Sequence, residues 1–485
     1  MHDIIIRDVS IYDGLGGAPF RGDVAVDGDT IAAVGSVPGT ARDTVDGSGL
    51  ALAPGFIDVH THDDFAAVLY RDMSFKTAGG VTTCVVGNCG MGAAPWAAAT
   101  LMARAMHPET LPQWQGYRGY LDRLEAEPPG VNIAALIGHG TARLAAMGMD
   151  AREPTRAEMQ VMKDIVSEGL EAGAVGLSTG LIYDPGRHAR TQELVELASL
   201  MRNTGALHAT HMRDEGAGLL DSVVEAIAVG EKAGVPVQIS HHKASGREAW
   251  GLVAQSLALI EDAQARGLDV HADQYPYTAG STILSAVFRD GGFGGTPPES
   301  VVIASAGSHR DWEGRSLAAL AVAMGCDATE AATRVLFEEP GTTVVIHTMC
   351  EEDVRTVMRH PSTMIGSDGL PTLAGKPHPR LYGTFARVLG HYARDEGVFP
   401  LAEAVRRMTS FAAKKFGFSD RGTLRAGAKA DLVLFDPDTI IDCGTFEDPK
   451  RMPKGIVSVY VNGTLTMQDG KPTGTQAGRT LRRAR

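Results

Sequence analysis

The sequence predicts an α/β protein, a TIM-type (β/α)8 barrel with a small β-sandwich domain built from both chain ends. Three observations carry this prediction. Eight short apolar runs recur between residues 52 and 368, each ending in small or polar residues. Helix-like stretches separate several of them, and strand alternating with helix makes a parallel sheet, which at eight units closes into a barrel. The two flanks read instead as short alternating strands with tight turns, the pattern of hairpin β-structure.

Residues 3–37 carry a turn at Asp27-Gly28-Asp29 and residues 430–470 one at Asn462-Gly463, both suited to hairpins. Far apart in sequence but alike in type, these flanks are expected to pair, which gives a sandwich of residues 1–53 plus 415–485 around a barrel of 54–414. The apolar runs are 52–62, 81–89, 132–139, 174–181, 206–213, 235–243, 269–277 and 363–368. Between them, residues 156–172 set Met159, Met162 and Ile165 at helical spacing, and residues 219–233 stop at Gly234 before Pro236. The stretch of about 288–340 opens rich in Gly and Pro and continues as a helical pattern, an insertion placed to act as a lid at the barrel mouth.

Composition bounds the function. A chain of 485 residues accommodates a barrel and a second module. A net charge of −13 argues against nucleic acid or an anionic membrane as partner. No run reaches the ~20 apolar residues of a membrane span, and the opening Met1-His2-Asp3-Ile4 lacks the basic start of a secretory signal. Five cysteines without a close-set framework suggest reduced thiols and a cytoplasmic protein. Nothing in the sequence sets an oligomeric state.

In such a barrel the chemistry lies at the C-terminal ends of the strands. Metal-ligand residue types stand at five of these eight ends, although histidine is only 16 of 485 residues. The first run ends His60-Thr61-His62. Strand side chains alternate, so His60 and His62 point the same way, ~6.5 Å apart. Cys89 ends the second run, and Asp368 the eighth. His208 and His211 differ by three, so only one faces inward; His211 lies nearer the strand end, and the same reasoning favours His241 over His242. Cys89, His211 and His241 supply one thiolate and two imidazoles and leave a coordination position for water, the description of a catalytic zinc site. His60 and His62 could hold a second, weaker metal. His139 ends the third run, where it would touch substrate or orient a ligand. His107, His188, His378 and His391 read as loop or surface residues. No GxGxxG follows a strand, so a nucleotide site has no support.

The His60-Thr61-His62 opening, the later strand-end histidines and Asp368 resemble the amidohydrolase superfamily over nearly the whole chain, the two-part sandwich included. Gly87-Asn88-Cys89-Gly90, Thr210-His211-Met212-Arg213, Ser240-His241-His242-Lys243 and Ser367-Asp368-Gly369 together resemble the N-acyl-D-amino-acid deacylases, or D-aminoacylases. In those enzymes a cysteine on the second strand ligates the metal, whereas hydantoinases and dihydroorotases use a carboxylated lysine on the fourth. Residues 173–180 here contain no lysine.

The resemblance implies hydrolysis of a small N-acylated D-amino acid to a carboxylic acid and the free D-amino acid, with one tightly bound Zn2+. Asp368 would take the proton of the attacking water and pass it to the departing amine, which leaves poorly unless protonated. Tyr183 is a candidate donor to the acyl oxygen. Lys243 and Arg380 resemble carboxylate-binding positions, and arginine suits bidentate binding. Tyr275 or Tyr277 and Ser281 would add hydroxyl donors, and Arg289 could meet an acidic side chain. The alternatives are another amidohydrolase reaction, such as cyclic-amide ring-opening or dipeptide hydrolysis, and a non-catalytic scaffold. The missing lysine counts against ring-opening and the complete constellation against a scaffold, while preference for the D-enantiomer rests on the resemblance alone.

Overall fold

The computed structural model describes residues 1–104 and 111–483. His107 lies outside the described residues. Eight parallel strands form one sheet in chain order: Phe56–Asp58, Val81–Val86, Asn132–Gly138, Gly176–Gly180, Leu207–His211, Val237–Ile239, Val270–Gln274 and Thr363–Ile365. A parallel bridge between Thr61 and Gly369 joins the segments beyond the first and last strands. Nearly every strand residue is buried, as expected of strands covered on both faces.

Helices pack outside. Arg156–Ala172 starts at a capping box, in which Thr155 Oγ1 accepts from Glu158 N (3.3 Å) and Glu158 Oε2 from Thr155 N (2.7 Å). It ends at Gly173, whose φ of +105° suits glycine, and buries Met162, Val166 and Leu170.

The run expected as one strand over 52–62 divides in two. Ala51–Pro54 belongs to a nine-stranded sheet, and Phe56–Asp58 opens the barrel. The break falls at Gly55, where a Cβ would collide with the Thr82 side chain. The nine-stranded sheet takes strands from both ends of the chain, and Ala51–Pro54 pairs antiparallel with Leu432–Phe435 to unite them. Ile4, Ile6, Val24, Val26, Leu432 and Leu434 share its core. Residues 478–481 return to the barrel: Gly478 N donates to Pro129 O (2.8 Å) and Leu481 N to Ile133 O (2.7 Å).

The insertion is wider than the expected 288–340. A three-stranded antiparallel sheet of Gly280–Ile283, Val301–Ser305 and Thr343–Ile346 frames it and carries helices Leu317–Met324 and Ala328–Glu338. Gly280-Ser281-Thr282-Ile283 shows no apolar alternation, whereas Val301–Ser305 and Thr343–Ile346 are short apolar runs of strand type. Among the described residues no helix is long and apolar enough to cross a membrane.

Candidate active site

Among the described residues, three of the nine non-glycine residues with positive φ stand at the barrel mouth: Cys89 (53°), His241 (36°) and Asp368 (48°). The left-handed region costs a non-glycine residue ~1–3 kcal/mol and concentrates where a site dictates backbone direction. Each is pinned by its surroundings. Gly87 and Gly90, themselves left-handed, flank Cys89, while His241 N donates to Asp273 Oδ1 (2.7 Å) and Asp368 N to His60 O (2.7 Å).

The side chains so aimed converge. Cys89 Sγ lies 3.3 Å from His60 Nε2 and 3.6 Å from His241 Nε2, and His241 Nε2 lies 2.8 Å from His211 Nδ1. Asp368 Oδ1 lies 3.4 Å from His60 Nε2 and 3.2 Å from His62 Nε2. His60, Cys89, His241 and Asp368 thus form one buried donor group, and His211, Glu215 and His241 a second that shares His241. A thiol and imidazoles are the donor set of zinc, whose shell edges run to ~3.3–3.8 Å for ordinary bond lengths. The residues therefore fit that metal. The structure turns His211 and His241 into this cluster, whereas His208 Nε2 meets Thr179 Oγ1 (3.1 Å) and His242 Nε2 meets Ser256 Oγ (2.8 Å).

Electrostatics favour the ligating forms. Burial opposes ionisation of Cys89, but His60, His241 and His211 override it and hold the thiol well below its usual range, which makes it the thiolate that metals bind. Burial also opposes charge on Asp368, yet Arg380 and the surrounding histidines hold its carboxyl well below the carboxylate range. Burial and the neighbouring Cys89 push Tyr183 well above 10, so its hydroxyl stays a donor.

A cavity of about 300 Å³ opens beside this cluster, lined in part by His211, His241, Asp368 and Tyr183. Tyr183 contacts His211 edge-on at 5.1 Å, and its hydroxyl lies 3.0 Å from Thr282 Oγ1 on the insertion. Lys243, Tyr275 and Ser281 line the same cavity, as does Arg289, which donates to Ile182 O (2.8 Å). Lys243 Nζ and the Arg380 guanidinium flank the Tyr275 ring at 5.8 and 4.4 Å. Both cations already hold protein carboxylates: Lys243 binds Glu215 (2.6 Å), and Arg380, 1% exposed, binds Asp368 Oδ2 (2.8 Å) and Ser281 O (3.1 Å). Arg380 Nε and Nη1 are buried without a hydrogen-bond partner. Tyr277 turns elsewhere, to Asp442 (3.2 Å). His139 Nε2 meets Glu193 (2.8 Å), which also holds Arg143.

His378 departs from the surface reading. It is 3% exposed, its Nδ1 accepts from Arg380 N (3.0 Å) and its Nε2 donates to Ala279 O (2.9 Å), so the loop after the eighth strand folds inward onto the insertion. Sequence reasoning also missed Asp273, Glu215 and Lys76. Asp273 Oδ1 lies 3.2 Å from His60 Nδ1; an acid near the end of the seventh strand was the available signal, the one that singled out Asp368. Lys76 is buried beneath His60-Thr61-His62, where Nζ donates to Asp58 (2.8 Å), Thr61 Oγ1 (2.8 Å) and Ser367 Oγ (3.0 Å).

A family profile described as the amidohydrolase family matches residues 43–467. The chain belongs to the amidohydrolase family. Among relatives of this amidohydrolase, a D-aminoacylase of Alcaligenes xylosoxydans xylosoxydans is 42% identical across 99% of this chain and 98% of that one. A crystal structure of an N-acyl-D-glutamate deacylase from Bordetella bronchiseptica, complexed with zinc and a phosphonate mimic of the tetrahedral intermediate, superposes with a TM-score of 0.91 at 40% identity over 99% of each chain. A D-aminoacylase structure concerned with a binuclear metal centre, one-metal activation and second-metal attenuation superposes at 0.90, with 40% identity over 100% of both chains.

Proposed function

We propose that this amidohydrolase hydrolyses the amide bond of N-acyl-D-amino acids with zinc and releases a carboxylic acid and a free D-amino acid. The observation that carries the reading is the convergence of Cys89, His211 and His241 beside Asp368, in a chain 42% identical over 99% of its length to a D-aminoacylase. Cys89, His211 and His241 are the residues we assign to one tightly held zinc, with His60 and His62 available to a second, weaker metal. Zinc, when bound there, supplies Lewis acidity that polarises the acyl group and acidifies water toward a pKa of ~7.

The chain's own groups do the rest. Asp368, held ionised by Arg380 and the histidines, accepts the proton of the attacking water at a carboxylate oxygen. It then delivers that proton to the amide nitrogen, so the amine departs neutral. The Tyr183 hydroxyl, kept protonated by burial, exchanges its Thr282 partner for the acyl oxygen. Lys243, Tyr275 and Ser281, which line the cavity, are assigned to the substrate carboxylate, while Arg380 stacks on Tyr275 outside the lining and pairs with Asp368. The cytoplasm is the compartment this reading assigns, consistent with five free cysteines.

The test is hydrolysis of paired N-acetyl-D- and N-acetyl-L-amino acids over a range of side chains, with metal analysis of the same preparation. The expected result is turnover confined to D-substrates at about one zinc per chain. Turnover of cyclic amides alone, or protein free of stoichiometric zinc, sinks the proposal.

A further inference from the structure

We infer that Glu215 is a positioning residue that holds both proposed ligand histidines in their metal-binding orientation and couples them to Lys243. The inference rests on the zinc-deacylase reading and deepens it. Glu215 joins His211 and His241 in the second donor group and on composition alone could pass for a metal ligand. The place a cation would take is already filled, because Lys243 Nζ lies 2.6 Å from Glu215 Oε1, 2.9 Å from His241 Nδ1 and 3.0 Å from His241 O. The ammonium there competes with a metal ion for the Glu215 carboxylate.

What remains for Glu215 follows from the tautomers. His241 Nε2 faces Cys89 and His211, so to offer its lone pair inward the ring must carry its proton on Nδ1; Glu215 Oε1, 3.0 Å away, accepts it, while Lys243 Nζ, which has only donors, turns its hydrogens to Glu215 and His241 O rather than to Nδ1. His211 is placed the other way round. Its Nδ1 faces the cluster, and its Nε2, buried without a hydrogen-bond partner, lies 3.6 Å from Glu215 Oε2. One carboxylate thus faces two imidazoles, within hydrogen-bond distance of His241 and as an ion-pair neighbour of His211. The loop that carries it is braced: Ser245 N donates to Glu215 O (2.7 Å), Gly216 N to Asp214 Oδ1 (2.6 Å) and Asp214 N to Ser222 Oγ (3.0 Å). Carboxylates behind ligand histidines typically change metal affinity 10–100-fold when removed. Here the same carboxylate also orients the cation assigned to the substrate, so metal retention and substrate affinity are linked through one side chain.

The test compares zinc affinity, by competition with a chromophoric chelator against the purified holoenzyme, in wild type, Glu215→Gln, Glu215→Asp and Lys243→Met. Glu215→Gln is expected to bind zinc ~10–100-fold more weakly and to raise KM for N-acetyl-D-amino acids, with an unfolding midpoint of the metal-free protein equal to that of wild type. Glu215→Asp, which keeps the charge, recovers part of the zinc affinity. Lys243→Met raises KM without weakening zinc. Wild-type zinc affinity in Glu215→Gln overturns the inference, as does equal zinc loss in Lys243→Met. If Glu215→Gln does not fold, Glu215→Asp decides: intermediate affinity supports the role and wild-type affinity overturns it. A wild-type protein without zinc or deacylase turnover instead removes the underlying reading.

Discussion

Cys89 shows how one residue is specified from several directions. Its left-handed backbone, its flanking glycines and its three imidazole neighbours all favour a thiolate aimed into the barrel mouth. Cys89→Ala is therefore expected to lose stoichiometric zinc, read by metal analysis, together with turnover; full activity in this variant removes the thiolate from the mechanism. Asp368→Asn keeps the carboxylate's shape but cannot accept a proton, so it should retain zinc while kcat falls ~10²–10⁴-fold. A near-native kcat would move the proton transfers to another group. The ligands were legible in the sequence because strand alternation and strand-end position fix where a residue points. Glu215 and Lys76 were not, since their reach is set by a loop four residues beyond His211 and by a helical turn under the first strand, neither of which has a period to read. Arg380 was legible as a cation of the site, but its hold on Asp368 depends on the inward fold of His378, which no sequence signal announces.

The strand Leu207–His211 illustrates how an element divides its labour. His211 faces the cluster, whereas His208 sits among Thr179 and Thr210 at 1% exposure. Burial, with a smaller push from His139, lowers the pKa of His208 to about 4. The unfolded chain titrates near 6.5 and so binds more protons than the fold between those values. This stability is complete above pH 6.5 and declines as pH falls toward 4, by about 3 kcal/mol on a linkage argument. Thermal melts from pH 7 to 4 should fall less steeply for His208→Gln than for wild type; parallel slopes would assign the acid sensitivity to other groups. The insertion is a second such element. It brings Thr282 to Tyr183 and sets Arg289 in the cavity wall near Val287 and Phe293, so substrate side-chain preference should reside there. Arg289→Ala should lower kcat/KM for N-acetyl-D-glutamate at least ~10-fold more than for N-acetyl-D-leucine, on the ordinary worth of a charge-assisted hydrogen bond. Equal losses would place the side chain elsewhere.

At the scale of the molecule, the barrel and the nine-stranded sheet are welded by buried polar groups. Asp431 pairs with Arg421 and accepts from Asn132 Nδ2 (3.1 Å) and Asn462 N (2.7 Å), so one carboxylate joins a barrel strand to the terminal sheet. The two-ended sheet was legible because both flanks alternate with hairpin turns. The return of the chain end to the barrel was not, because residues 478–483 lack any alternation. That strap is anchored by main-chain bonds from Gly478, Leu481 and Arg483 to Pro129, Ile133 and Gly173, while Arg482 Nη1 donates to Ala172 O (2.7 Å) at the end of a barrel helix. Leu481 also packs among Ala134, Val175 and Leu207 under the barrel floor. Four such hydrogen bonds at ~1 kcal/mol each, with the burial of one leucine, make the strap a contribution of several kcal/mol. Removing residues 478–485 should lower the thermal midpoint of the holoenzyme while leaving its zinc content intact, because the strap lies at the opposite end of the strands from Cys89, His211 and His241. An unchanged midpoint would mean that the strap follows the barrel rather than holding it closed.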